Sequence, residues 1–476
     1  MRRLACIVLS MVVVAGCDER NSEFCVNGAS ADGKACLDAP MGTGGHCTPT
    51  TGCTSDPMFP ICDTAKNGGT CVTCTTDKHD LCAGATPRCD MATESCVACV
   101  DDGDCGGTGV CLPAGGCADP NKIIHAISTS GSSNMNTCGG VGAGNACDLD
   151  TALAIAKSGM GKNVIKLDDA GPYKSAMNNF IIDVDAALAL ILDARGATLQ
   201  AHNSNSAVIT INDGKGMTML GGTVTGATGG GGDGIRCGMN STLIVAGAVL
   251  QMNDESGLDA SSCTAMVTNT VIRDNGKAAG GFAGIEFAKG TLTISRSQII
   301  SNGGGGITIS NGTFTIVGNA FLSNGSTTAI VGGLFASTNT PGNRLEFNSF
   351  TDNKSGAAVA PGVQCAATSG LTAQNNIIWN NNGLNVAQVG GSCLHAYSDV
   401  GPMPVPTIPT NLDGGNNISM DPKFVSATSD LHLDAATPVR GKANPQADLG
   451  TIASKDLAGK SRVPPADLGA YQAPPM

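Results

Sequence analysis

Apolar and polar residues alternate in short stretches from about residue 123 onward, and six of these stretches end in the same way. An apolar residue is followed three positions later by an asparagine, at Leu250 and Asn253, Ile272 and Asn275, Ile299 and Asn302, Phe321 and Asn324, Phe350 and Asn353, and Ile378 and Asn381. Successive asparagines lie 22 to 29 residues apart. Because side chains alternate between the two faces of a strand, the apolar member of each pair is predicted to face inward.

A repeat of this length, rich in β-branched residues and glycine, is typical of a solenoid whose turns add strands to parallel sheets. Asparagine tolerates the left-handed backbone of a tight turn, and its amide can bond the backbone of the next turn. We therefore predict that stacked asparagines form a ladder with a structural role. Glycine-rich runs such as Gly303–Gly306 are predicted to be turns of the same coil.

One helix is predicted, over Asp148 to Ser158, with its N-cap at Asp148 or Asp150 and with Gly159 beyond its end. We expect this helix to cover the open N-terminal end of the coil, where unpaired strands would otherwise invite aggregation.

Two kinds of motif resemble known families. The turns Ile300-Ser-Asn-Gly303 and Leu322-Ser-Asn-Gly325 resemble those of right-handed parallel β-helix proteins with a pectin-lyase-like fold. Residues from about 411 to 476 resemble the choice-of-anchor Q region of bacterial surface proteins, in Asn417-Ile-Ser-Met-Asp-Pro-Lys-Phe424, Asp456-Leu-Ala-Gly-Lys-Ser-Arg462 and Asp467-Leu-Gly-Ala-Tyr471. The resemblance implies an all-β, right-handed parallel β-helix over residues 122–476.

Cysteines within the coil fit the same repeat. Cys237 and Cys263, like Cys365 and Cys393, are separated by about one turn. Neighbouring strands lie about 4.8 Å apart, which a disulfide can span, so each pair is predicted to join adjacent turns. Cys138 and Cys147 would close a local loop before the coil, and free buried thiols are the alternative for all six positions.

The N-terminus carries an export signal. A basic start, an apolar run from Leu4 to Ala15 and the ending Val14-Ala-Gly-Cys17 resemble a bacterial lipoprotein signal peptide over residues 1–16. Cys17 would then carry the lipid, and the protein would be lipid-anchored in the cell envelope, on the periplasmic side or at the cell surface. An ordinary secretory signal is the alternative, and it would preserve export.

Residues 17–121 are predicted to be a stalk held by disulfides. Of the 22 cysteines, fourteen lie between Cys25 and Cys117, including Cys71-Val-Thr-Cys74 and the repeat of this pattern at Cys96-Val-Ala-Cys99. Zinc is the alternative for such spacings, but export favours disulfides, and we predict no metal centre. Calcium could bind Asp101-Asp-Gly-Asp104, although this segment lacks the spacing of a known loop and a solvated turn accounts for it.

The net charge of −12 and the lack of a basic patch argue against nucleic acid as a partner. Few lysines and arginines remain for docking to anionic lipids, so the lipid anchor is the predicted membrane contact. Trp379, next to inward Ile378, is predicted to point outward, as a platform for sugars or packed under a loop.

Candidate catalytic residues are Asp233, Arg236, Asp259 and Glu286, because a glycoside hydrolase needs paired carboxylates and a lyase needs a base beside a cation. Further acids on exposed turns are Asp254, Glu255 and Asp274. They match no polygalacturonase or pectate lyase motif. The sequence favours a non-catalytic, envelope-anchored protein for display or for binding, of carbohydrate among other ligands, and the alternative is a polysaccharide lyase or glycoside hydrolase. Three or more carboxylates converging in one groove would favour the enzyme.

Overall fold

The computed structural model describes residues 61–63, 70–75, 82, 85–90, 92–93, 95–106, 109–203, 205–277, 281–356, 359–366, 370–382, 387–402 and 408–475. The predicted signal peptide, residues 1–16, and the predicted lipidation site, Cys17, lie outside these residues. The chain divides into two compact units, residues 1–120 and 121–476. The first unit contains β1 (Ile61–Asp63), β2 (Thr70–Val72), β3 (Arg88–Asp90) and β4 (Ser95–Val97), and the pairs β1–β2 and β3–β4 are antiparallel.

The second unit consists almost entirely of short strands. In chain order its elements are β5 (Ile123–Ala126), α1 (Leu149–Lys157), β6 (Val164–Leu167), β7 (Phe180–Ile182), β8 (Ile191–Asp193), β9 (Thr198–Gln200), β10 (Ile209–Ile211), β11 (Gly216–Leu220), β12 (Thr223–Thr225), β13 (Ile235–Cys237), β14 (Thr242–Ala246), β15 (Val249–Gln251), β16 (Leu258–Thr268), β17 (Val271–Arg273), β18 (Ile285–Ser295), β19 (Gln298–Ile300), β20 (Ile307–Ile309), β21 (Thr313–Val317), β22 (Ala320–Leu322), β23 (Leu334–Ser337), β24 (Arg344–Glu346), β25 (Ser349–Thr351), β26 (Val363–Ala366), β27 (Thr372–Gln374), β28 (Ile377–Trp379), β29 (Val389–Gly391), β30 (Leu394–Ala396), β31 (Asp399–Gly401), β32 (Asp413–Gly415), β33 (Phe424–Ser426), β34 (Asp430–Leu433) and α2 (Gly450–Ala453).

These strands wind into a parallel β-solenoid of about 9 turns, which confirms the predicted fold class. Most turns contribute three strands, as β10, β11 and β12 do in one turn and β13, β14 and β15 do in the next. The third strands stack into a nine-stranded parallel sheet from β9 to β31. The first strands of successive turns also stack on one another, and we call this stack the first face. It consists of β7, β10, β13, the first residues of β16 and of β18, β20, β23 and β26.

The predicted inward column is confirmed, and it lies in the nine-stranded sheet. Leu250, Ile272, Ile299, Phe321, Phe350 and Ile378 all have 0% of their surface exposed. Phe321 and Phe350 stack with ring centroids 4.3 Å apart. Burial of such side chains, at about 25 cal/mol per Å² of apolar surface, is the main force that holds the turns together.

The predicted asparagine ladder is also confirmed. The Oδ1 atom of Asn302 accepts hydrogen bonds from both the backbone N and the Nδ2 of Asn275, at 3.1 and 3.0 Å. The Nδ2 of Asn302 donates to Ile272 O at 3.0 Å and to Asn324 Oδ1 at 2.9 Å. The same arrangement runs from Asn253 to Asn381, where Gln388 accepts the last bonds.

One detail of the turn differs from the prediction. The left-handed backbone occurs one residue before each asparagine, for example at Asp274 (φ 57°), Ser301 (φ 54°) and Ser323 (φ 55°). A residue with a left-handed backbone bends the chain sharply. The side chain of the asparagine that follows therefore points into the interior, where its amide forms the ladder.

A second ladder, which the sequence analysis missed, follows the second strands. Asn319 donates from its backbone N and Nδ2 to Asn348 Oδ1, both at 3.0 Å, and Asn348 donates likewise to Asn376 at 2.9 and 3.1 Å. Serines continue this column, since Ser297 donates to Asn319 and Asn376 donates to Ser398. The mixture of asparagine and serine hides the repeat in the sequence.

The predicted helix is confirmed as α1, with Asp148 as its N-cap; the Asp148 carboxylate accepts from Thr151 N at 2.7 Å. The apolar side of α1, including Leu149, Ala152 and Ile155, joins the core of the first turns. The helix therefore supplies apolar cover where the stack of turns begins.

The C-terminal motif packs beside the solenoid. Arg462 is buried, lies 4.5 Å from the centre of the Phe347 ring, and donates to Gly469 O at 2.8 Å and Ala470 O at 3.1 Å. Asp467 accepts from two backbone amides at 2.8 Å each, those of Gly441 and Ala473. The charged motif residues thus hold the last segment against the nine-stranded sheet.

Disulfides occur at the spacings discussed above. The structure joins Cys138 to Cys147, and it links adjacent turns by Cys237–Cys263 and Cys365–Cys393, with Cα atoms 6.0 and 5.6 Å apart. In the first unit it joins Cys74–Cys89, Cys82–Cys96, Cys99–Cys111 and Cys105–Cys117. Each consecutive set of four cysteines is therefore paired first to third and second to fourth.

Within the described residues, no helix has both the length and the apolar character needed to cross a membrane.

Candidate functional site

Outward residues of the first face form a continuous column. The strand register pairs Thr210 with Arg236, Arg236 with Asp259, Asp259 with Glu286, and Glu286 with Thr308. Their inward neighbours, such as Ile235 and Ile285, are fully buried. Because each turn raises the chain by about 4.8 Å, three of the four predicted catalytic candidates lie on consecutive turns.

Loops that follow the ladder asparagines form the walls beside this column. Asn253 precedes the loop with Glu255 and Ser256, Asn275 precedes the loop with Phe282, and Asn324 precedes the loop with Ile330. The ladder fixes the start of each loop, since every ladder asparagine is buried and bonded on both sides. Column and loops enclose a cavity of about 400 Å³, here called the acidic cleft, lined by Asp233, Glu255, Ser256, Asp259, Gly281, Phe282, Glu286, Thr308, Ile330 and Val331.

Arg236 connects two acids of the cleft. Its guanidinium lies 2.6 Å from the Asp233 carboxylate and 3.5 Å from the Asp259 carboxylate. Ser261 also donates to Asp259, at 2.8 Å. The arginine thus bridges Asp233 and Asp259, and Asp259 lies beside Glu286 in the strand register.

Asp233 is the most deeply buried acid of the cleft, with 2% of its surface exposed. Besides Arg236, it accepts from Ser256 N at 3.1 Å. Burial raises its pKa to about 6, against the opposing effect of the Arg236 hydrogen bond and charge. Its contacts place it under the floor of the cleft, where it anchors Arg236 and the Ser256 loop.

Of the acids that line the cleft, Glu286 is the one whose environment most favours the neutral form. It accepts from Ala283 N at 2.8 Å, and burial raises its pKa to about 7, with the charges of Asp259 and Asp233 acting in the same direction. A carboxyl group with this pKa retains its proton in a large fraction of molecules near neutral pH. Glu286 therefore has the property required of a general acid.

The four catalytic candidates, Asp233, Arg236, Asp259 and Glu286, are brought together, and Glu255 joins them. Of the other acids named above, Asp254 accepts from Gly229 N at 2.8 Å and Asp274 pairs with Lys277 at 2.9 Å; neither lines the cleft. Convergence of carboxylates in one groove is the arrangement that the sequence analysis takes as favouring an enzyme.

Sequence reasoning missed the apolar wall formed by Phe282, Ile330 and Val331. These residues lie in irregular loops, and the one available signal was the unusual length of the segments after Asn275 and Asn324. Trp379, for which a sugar platform and packing under a loop were the two predicted alternatives, is partly buried and packs against the C-terminal apolar cluster that contains Leu468.

A second cavity, of about 470 Å³, lies in the C-terminal segment and is lined by Arg440, Lys460, Asp467 and neighbouring residues. Both carboxylate oxygens of Asp467 accept from backbone amides, so this acid holds the motif together. Among the described residues that line the second cavity, Asp467 is the one acid, and the acidic cleft is therefore the better candidate for chemistry.

The donor atoms of the cleft are not spaced to hold a cation. Among the described residues, only cysteines form sets of three groups whose ligand atoms lie within 4.8 Å of one another, and these sulfurs belong to neighbouring disulfides. The cleft carboxylates are spaced more widely, and Arg236 occupies two of them. The cleft does not form a calcium cage. At Asp101–Asp104, the candidate calcium segment, carboxylates accept from Gly103, Val100 and Cys111 amides, as in a capped turn.

Known proteins share the architecture. A family model described as "Right handed beta helix region" matches residues 175–321, which include the strands of the cleft. Solved structures similar to the chain include "Crystal structure of pectate lyase Pel9A", at 17% sequence identity and a TM-score of 0.52, covering 74% of this chain and 96% of that chain. No curated protein matches the chain significantly. These similarities establish the right-handed β-helix fold.

Proposed function

We propose that the protein is an exported glycoside hydrolase that acts on polysaccharide in the acidic cleft. One observation carries the proposal: Glu286, with a pKa of about 7, pairs in register with Asp259, whose carboxyl group lies 3.5 Å from the Arg236 guanidinium. Glycoside hydrolysis needs one carboxyl group that donates a proton and a second that is ionised.

Glu286 is assigned the role of general acid, protonating the oxygen of the scissile glycosidic bond. Asp259 is assigned the role of nucleophile. Adjacent strands of the solenoid lie about 4.8 Å apart, close to the separation of about 5–5.5 Å between carboxyl groups in retaining enzymes. Retention of anomeric configuration is therefore the expected outcome. Arg236 and Asp233 position Asp259.

The setting that we propose is the bacterial cell envelope. The lipobox that ends at Cys17 supports a lipid-anchored protein, and the disulfides support an oxidising compartment. The resemblance of residues 411–476 to choice-of-anchor Q regions supports display at the surface. Incorporation of labelled fatty acid, lost in Cys17→Ala, tests the anchor.

The experiment for the cleft is a screen of the purified protein against soluble polysaccharides, with assays for new reducing ends and for unsaturated products. Reducing ends without unsaturation are expected. Glu286→Gln is expected to lower the rate at least about 100-fold, since it removes the proton donor. Asp274→Asn, which alters an acid outside the cleft, is the matched control and is expected to retain activity.

Unsaturated products would show that the protein is a polysaccharide lyase and not a hydrolase. Absence of turnover on every polysaccharide would instead favour the non-catalytic display or binding function, in which the cleft holds a glycan without cleaving it.

A further inference from the structure

The acidic cleft carries more negative than positive charge. Four carboxyl groups line it, from Asp233, Glu255, Asp259 and Glu286. The cation beside them is Arg236, and both of its ion pairs, at 2.6 and 3.5 Å, are with carboxylates of the cleft. Among the described lining residues there is no lysine or arginine. Of the nearest other cations, Lys277 pairs with Asp274 at 2.9 Å, and Lys289 is exposed outside the lining.

This charge distribution disfavours an anionic polymer. A uronate or sulfate group would approach carboxylates in a partly desolvated cavity, where like charges repel more strongly than in water. Enzymes that accept such groups supply a cation to neutralise them, and the Arg236 guanidinium is already engaged by Asp233 and Asp259.

The remaining lining suits an uncharged sugar. Ile330 has 75% of its surface exposed, and together with Val331 and Phe282 it gives the cleft an apolar wall. A sugar ring presents apolar C–H groups on its faces and hydroxyl donors at its rim. Carboxylates are acceptors for such hydroxyls, and charge-assisted hydrogen bonds of this kind are strong.

Between the loops that supply Phe282 and Ile330, the chain turns through four glycines, Gly303–Gly306. A Cβ atom on Gly304 would collide with the Gly281 carbonyl, and one on Gly305 would press against the Val331 side chain. The lack of side chains in this turn keeps the apolar wall close to the outward column.

We infer that the substrate of the cleft is a neutral polysaccharide, free of carboxylate and sulfate groups; this inference rests on the proposed function for the assignment of the cleft as the active site. A polymer of cationic amino sugars fits the acids less well, because a bound ammonium group would favour ionisation of Glu286 and remove the proton that the reaction needs.

The test measures binding separately from cleavage. Glu286→Gln is mixed with neutral glucans, xylans and galactans, with polygalacturonate, with a sulfated glycan and with chitosan, and binding is measured by calorimetry at low and high salt. We expect binding of a neutral glycan with little dependence on salt. Ile330→Ala is expected to weaken this binding about 10-fold, whereas Val425→Ala, which alters an apolar residue exposed on β33, is expected to leave it unchanged.

The outcomes separate the two proposals. Binding of a neutral glycan by the variant, without cleavage by the unaltered protein, removes the proposed hydrolysis and leaves the neutral glycan as the ligand of the cleft. Cleavage of polygalacturonate, or preferential binding of any charged glycan, overturns the inference while leaving an enzyme. Failure of every glycan to bind overturns the inference as well.

Discussion

The asparagine ladder and the acidic cleft occur on the same turns of the solenoid, yet their polar groups have opposite environments. Ladder amides such as Asn302 are fully buried, and each is bonded to the turn before and the turn after. The acids of the cleft are crowded together, and burial raises the pKa of Glu286 to about 7 and that of Asp233 to about 6. Neutral, satisfied groups stabilise the coil, whereas charged groups in the cleft cost stability.

This difference separates the ladder, which has a structural role, from the cleft, which is the candidate functional site. A ladder amide satisfies its neighbours, and one substitution would leave donors without acceptors. The cleft acids gain fewer bonds than their burial requires, and such groups concentrate at functional sites. The contrast predicts large, pH-independent losses of stability in the ladder and pH-dependent effects in the cleft.

The largest effect is expected for Asn302→Ala. The substitution removes the acceptor of the Asn275 N and Nδ2 atoms and the donor to Ile272 O. Each buried group left without a partner costs about 1–3 kcal/mol, so we expect unfolding to become easier by about 4 kcal/mol. Chemical denaturation followed by circular dichroism measures this loss.

The matched control is Asn311→Ala. Asn311 is exposed, and its side chain accepts from the neighbouring Gly312 N at 2.9 Å. Its loss should cost less than about 1 kcal/mol. Equal losses at the two asparagines, or a loss at Asn302 that varies with pH, would contradict the structural role of the ladder.

The second effect is a pH dependence that separates the cleft from the ladder. Glu286 has a pKa of about 7 in the folded protein against an ordinary pKa of 4.5 for glutamate, so the folded state binds its proton more tightly than the unfolded state. Its contribution to stability is complete below pH 4.5 and is lost as the pH rises to 7, by an amount on the order of 3 kcal/mol.

Glu286→Gln removes this dependence. The stability of the variant relative to the unaltered protein is therefore expected to increase from pH 4.5 to above pH 7. Thermal unfolding of both proteins across this range measures the difference, and other titrating groups such as His395 cancel because both proteins contain them. A difference that stays constant with pH would show that Glu286 titrates normally.

The fold could be predicted from sequence because ladder and core recur in the same chemical form on each turn. Leu250 and Phe350 differ, yet both are apolar at the same distance from an asparagine. The second ladder escaped prediction because serine replaces asparagine at Ser297 and Ser398. A hydroxyl can occupy the same position in the turn, so no single residue type recurs.

The candidate site was predicted in its charged residues but not in its environment. The sequence indicates three acidic residues and one arginine on outward positions or turns, namely Asp233, Asp259, Glu286 and Arg236. Their convergence depends on the register that pairs Arg236, Asp259 and Glu286 across turns of unequal length. The buried ladder and core determine that register. It cannot be predicted from the residues that neighbour Glu286 in the sequence.

The smallest expected effect is that of Thr308→Val. Thr308 lies one turn beyond Glu286 in the outward column, and a hydrogen bond from its hydroxyl lowers the pKa of the Glu286 carboxyl. Valine keeps the shape but cannot donate, so the pKa of Glu286 should rise by about half a pH unit, equivalent to about 0.7 kcal/mol. The alkaline limb of the pH–rate profile, or of the stability difference above, should therefore move to higher pH.

Thr291→Val, at an exposed position on the same strand as Glu286, is the control and should shift neither the pH–rate profile nor the stability difference. A lower pKa of Glu286 in Thr308→Val, or equal shifts in both variants, would show that groups other than this hydroxyl determine the pKa of Glu286. Either result would weaken the contrast between the cleft and the ladder.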